Sequence, residues 1–162
     1  MIRMNEIELY MKINITYLDY YIEHNESMGK VKPTAEQLYI SVCNDLDIVL
    51  GNLNILPSKS GYLFWKDAVF LYLYSCKNKI SICNDIYPAI AQKHETTTMC
   101  VDRAMRRCFE NVLYYAAKNE DNYICAYLKN NLLFPHNSEI IVKLVELICS
   151  KKFQINKLKL EI

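Results

Sequence analysis

Residues 61 to 74 read GYLFWKDAVFLYLY, and wound as a helix this stretch presents apolar side chains on almost every side. Such a helix cannot lie on a surface, so the rest of the chain has to fold around it. With 162 residues, 52% of them hydrophobic, there is enough chain for one core and too little for two ordinary domains.

The surrounding patterns are helical. Thr34, with Gln37 three residues on, forms a capping box, and Leu38, Val42, Leu46, Val49 and Leu53 follow at helical spacing. Asn54 suits the left-handed residue that closes many helices, and Leu56-Pro57-Ser58 does not continue one. Ser81 caps a third helix carrying Ile82, Ile86, Ile90 and Ala91, in which Pro88 imposes a kink or a restart. A tyrosine-rich helix is predicted over 120–131. A last helix is predicted to be capped by Asn137, with Ile140, Ile141, Leu144, Val145 and Ile148 facing inward.

Both ends read ambiguously. Residues 6–17 alternate apolar and polar at a strand period, yet Ile7, Met11, Ile15, Leu18 and Ile22 fit a helical stripe nearly as well. The tail has apolar residues at 153, 155, 158, 160 and 162, close to strand alternation. The expected organisation is an all-α domain of about six helices over 33–150, preceded by an arm and linker (1–32) and followed by a tail (151–162). As strands, arm and tail would expose unpaired edges and pair with each other or across a homodimer; the equal alternative is fraying, or helical packing on the domain.

Residues 87–107, YPAIAQKHETTTMCVDRAMRR, fit a helix-turn-helix. That motif needs a small residue in the first helix, where the second crosses closely, and a branched apolar residue ten positions on; Ala91 and Val101 supply them. Thr96 or Thr97 caps the second helix, and Glu95 stands where the turn glycine is usual. A recognition helix over 97–117 turns Val101, Met105, Cys108 and Val112 inward and Thr98, Met99, Cys100, Asp102, Arg103, Arg106 and Arg107 outward, as entry into a major groove requires. Arginine's planar fork suits guanine or phosphate, and Lys93 and His94 are candidates for phosphate contacts at the edge. The plain alternative that the spacing leaves open is a solvated helix face with its arginines paired to Asp102 and Glu110.

Other chemistries find little support. A net charge of +1 neither favours nor forbids a local basic face. The seven cysteines form no C-x-x-C pair and the three histidines are scattered, so no metal site and no disulfide framework is expected. Three glycines leave no phosphate-cradling loop, and no nucleophile–base set stands out, so neither a cofactor nor an enzyme is expected. Without a bilayer-length apolar run or a signal-peptide pattern, the expectation is a cytoplasmic protein with no membrane partner.

Three segments, GYLFWKDAV (61–69), IYPAIAQKHETTTMCVDRAMRRCFENV (86–112) and PHNSEIIVKLVELI (135–148), resemble the DNA-binding effector domain of the stage zero sporulation protein A family over roughly residues 36–150. The resemblance implies an all-helical fold of about six helices that binds short DNA boxes in sporulation promoters as tandem or dimeric copies. It places Arg103 and Arg106 on recognition-helix arginines, Asp102 on an acidic position, and Arg107 where histidine is usual. Cys100 stands where the family carries a base-reading arginine, and Met99 where it carries serine. The family's phosphoreceiver has no expected counterpart in the short arm, so control by aspartyl phosphorylation within this chain is not anticipated. The functional expectation is a transcription regulator acting on double-stranded DNA. The alternative is an interaction module that partners or antagonises a full-length regulator.

Overall fold

The computed structural model describes residues 34–74, 80–132 and 136–160. Among these residues there are eight α-helices and one π-helical turn, with no strand. The arm of residues 1–32 lies outside the described residues.

Helix α1 (Ala35–Asn52) begins with the predicted capping box: the Thr34 hydroxyl accepts from the Gln37 amide, and the Gln37 side chain accepts from the Thr34 amide. The chain leaves α1 through Leu53 and a left-handed Asn54, whose φ is 60°. Helix α2 (Tyr62–Tyr74) then runs through the middle of the domain, touching α1 and three later helices. Trp65, Ala68, Val69 and Leu73 on it are completely buried, as a helix without a polar face demands.

Ser81 opens the next element through reciprocal bonds, its hydroxyl accepting from the Asn84 amide and its own amide donating to Asp85. What it caps is a π-helical turn, Ile82–Ile86, which hands over to α3 (Tyr87–Lys93). Pro88 is the reason for the restart, since it sits in the first turn of α3, where its missing amide has no helical partner to lose. Helix α4 (Thr98–Phe109) follows after a tight turn.

The predicted helix over 97–117 is in fact two, because α4 ends at Phe109 and α5 (Val112–Lys118) starts afresh. Asn111 departs from helical geometry (φ −113°, ψ 8°), and the Glu110 amide bonds three residues back instead of four. The bend lets Phe109 lie 4.4 Å from the Trp65 ring while Val112 and Ala116 turn towards α6 (Tyr123–Asn131). Asn122 caps α6, which starts three residues later than the predicted position 120.

Helix α7 (Asn137–Cys149) buries Ile140, Ile141, Leu144, Val145 and Ile148 as expected. The expectation that Asn137 caps it is corrected: His136 holds that position, and the Asn137 amide is spent on Asp102 of α4. The tail is α8 (Lys151–Leu160), not a strand. Phe153 is fully buried, Gln154 donates to the buried Asp45 and to the Ile148 carbonyl, and Lys157 pairs with Asp45 at 3.2 Å. Asn52 adds a second fastening by donating to the Leu160 carbonyl while accepting from Asn122. These intramolecular bonds remove the tail from any strand pairing across a dimer.

Candidate nucleic-acid interface

Helices α3 and α4 form the predicted helix-turn-helix. Ala91 and Val101, ten residues apart, are both buried at the crossing, and the Thr96 amide returns to the Ala91 carbonyl at 2.9 Å to close the turn. Glu95 takes the left-handed conformation normally given to glycine, with φ at 53°. Thr97 caps α4 by accepting from the Cys100 amide.

Two contacts, one from α2 and one from the residue just before it, fix the depth of α4. Gly61 lies so close that a Cβ there would stand 2.3 Å from the Ala104 carbonyl oxygen and 2.8 Å from the Cys108 sulfur, so only glycine fits. One turn later the Trp65 indole donates to the Met105 carbonyl at 3.0 Å, fully buried. With Val101, Met105, Cys108 and Phe109 locked inward, the opposite face of α4 is forced into solvent.

That outer face holds most of the predicted site. Thr98, Met99, Cys100, Arg103, Arg106 and Arg107 are exposed, and Asp102 is half-buried. Arg106 pairs with Asp102 at 2.6 Å, an i to i+4 contact on the helix surface. Arg103 and Arg107 form no ion pair among the described residues, and Glu110 does not bind an arginine. The local-pairing alternative therefore accounts for one of the three arginines. The Thr97 and Thr96 hydroxyls hold the exposed Cys100 thiol below its ordinary value, with a smaller contribution from Arg103.

Lys93 and His94 sit elsewhere. Both turn towards Asp67 of α2, a carboxylate with only 4% of its side chain exposed: Lys93 Nζ reaches Oδ1 at 2.8 Å and His94 Nε2 reaches Oδ2 at 2.6 Å. Tyr39 of α1 donates its hydroxyl to the same carboxylate at 2.5 Å. Burial, followed by this bond, raises the Tyr39 phenol well above its usual value. The His94 ring also packs edge-on against Phe64, 5.0 Å between centres. In the free protein these two residues are thus the fastening of the turn to α2, a pairing with Asp67 that their spacing alone does not predict. A lone acidic residue within the apolar run of α2 was the available signal.

Among the described residues no three His, Cys, Asp or Glu side chains converge as metal ligands, and no helix is long and apolar enough to cross a membrane. No solved structure matches this chain. Residues 46–148, well over half of the sequence, match the family described as sporulation initiation factor Spo0A C terminal, and they include α2 and both helices of the helix-turn-helix. The chain therefore belongs to the Spo0A C-terminal family, the DNA-binding domain of sporulation regulators.

Proposed function

We propose that this protein regulates transcription by placing the exposed face of α4 in the major groove of double-stranded DNA. The observation that carries the reading is the contrast across that helix. One face is locked by Gly61, Trp65 and four buried side chains, while the other offers three exposed arginines, two of them without an ion-pair partner among the described residues. Arg103, Arg106 and Arg107 supply guanidinium groups for base edges or phosphates. Thr98, Met99 and Cys100 occupy the first turn of α4 and offer smaller contacts, a hydroxyl, a thioether and a thiol. Because position 100 carries no guanidinium, the sequence read differs from that of relatives with arginine there. Lys93 and His94 contribute by holding the turn, not as free phosphate ligands. Helix-turn-helix domains commonly engage two half-sites as a pair of copies, and our reading includes such pairing on DNA.

Selection of bound duplexes from a random pool, at two salt concentrations, tests this. The wild-type chain is expected to enrich a defined motif, and an Arg103→Ala, Arg107→Ala double variant to lose it while remaining folded. Binding that is equally weak for all duplexes and vanishes with salt would instead favour a module that acts through a protein partner.

A further inference from the structure

Asp102 stands on the outer half of α4, yet both of its carboxylate oxygens are already engaged. Oδ2 accepts from Arg106 Nη2 at 2.6 Å, and Oδ1 accepts from the Asn137 side-chain amide at 3.1 Å. The same amide nitrogen also donates to the Asp102 backbone carbonyl, again at 3.1 Å. Asn137 is 8% exposed and opens α7, a helix anchored in the core by Ile140 and Ile141, so it is an immobile donor. Tyr87 of α3 stands beside the same group; burial and the nearby Asp102 push its phenol up to about 12 despite a bond to Asn137. The carboxylate is thus held between three helices. Arg106 is the exposed partner, with 71% of its side chain in solvent.

A carboxylate facing a polyanion opposes binding by simple Coulomb repulsion, and an exposed i to i+4 pair adds little stability in return. Each of the Asp102 oxygens is already directed at a partner within the protein, Arg106 or Asn137. Resting on the reading that α4 recognises DNA, we infer that Asp102, held by Asn137, is a positioning residue that fixes the direction of the Arg106 guanidinium before DNA arrives. A long side chain already confined to one orientation loses less freedom on contact, and it discriminates better because its fork is aimed.

The test compares duplex selection and affinity for wild type, Arg106→Ala, Asp102→Ala, Asn137→Ala and the Arg106→Ala, Asp102→Ala double variant, each with its melting temperature. Asp102→Ala and Asn137→Ala are expected to relax, by about threefold, the same base preference that Arg106→Ala relaxes more strongly. If Arg106 meets a phosphate, the shared signature is a fall of about one in the salt slope. Asp102→Ala should add less than about twofold once Arg106 is gone, as coupled residues do. The inference is overturned if Asp102→Ala tightens binding to all duplexes, if it alters a base pair that Arg106→Ala leaves alone, or if it weakens binding uniformly with profile and slope unchanged. If Asn137→Ala does not fold, the Asp102→Ala cycle decides alone. A wild-type chain that enriches no motif overturns the DNA reading and this inference together, whereas the three outcomes above, with the motif intact, overturn only the latter.

Discussion

Asp67 and Asp102 each hold cations of the helix-turn-helix, in opposite surroundings. The Asp67 side chain is 4% exposed and takes Lys93, His94 and Tyr39 at once, whereas Asp102 is 31% exposed and faces an arginine that is mostly in water. A carboxylate stripped of water needs all its partners, and removing one side of such a buried arrangement is far more costly than removing a surface pair. The inner cluster therefore fixes where the turn sits. The outer pair leaves the fold almost indifferent and governs where one side chain points.

Breaking the inner cluster has the largest expected effect. Asp67→Ala leaves Lys93, His94 and the Tyr39 phenol without their shared partner against apolar α2, and unfolding in urea should show a loss of about 3 kcal/mol or more. Asp102→Ala should cost under about 1 kcal/mol in the same assay. Equal losses at the two positions would erase the distinction drawn between them.

A smaller effect sharpens the comparison through pH. Tyr39 has a phenol raised above its ordinary value of 10.0, so the folded state keeps a proton that the unfolded chain releases. The stability tied to that proton is complete below about pH 10 and falls as pH rises further, by up to ~1.4 kcal/mol per pH unit for one such group. Tyr39→Phe should flatten part of the alkaline decline and lower stability at neutral pH through the lost bond to Asp67. An alkaline limb identical in the variant and the wild type would show that the inner cluster has no such linkage.

The smallest effect lies in the turn between the two aspartates. Glu95 adopts a left-handed backbone that glycine reaches without strain, so Glu95→Gly is expected to stabilise the fold by about 0.5 kcal/mol in thermal melts. A loss of stability there would mean that the Glu95 side chain offsets its own strain.

Much of this architecture was legible in the sequence because it is written locally. The Thr34 box, left-handed Asn54, the Ser81 and Thr97 caps, and the Ala91 to Val101 spacing all act within about ten residues. The break after Phe109 was not legible. Cys108, Val112 and Ala116 keep helical spacing through it, and the cause is Phe109 fitting against Trp65, more than forty positions away. The tail stays undecided in the sequence for a related reason: its alternation is compatible with a strand as well as with a packed helix, and Asp45 and the core pocket for Phe153 settle it as the helix. Lys93, His94 and Asn137 were noticed, but with roles set by partners 26, 27 and 35 residues distant, which no periodicity encodes.

The fastening of α8 also bears on how this domain comes into being. Its bonds to Asp45 join residues 109 and 112 positions apart, among the longest-range links in the molecule. Contacts that close so long a loop are slow to form, and on a ribosome they wait for the last helix to emerge. Until then Asp45 and Asn52 lack partners that they have in the finished fold, although the helices that carry the recognition face have already been made. Commitment to the folded domain is thus deferred to the arrival of residues 153 to 160, and a chain interrupted before them holds a helix-turn-helix on an unlatched body.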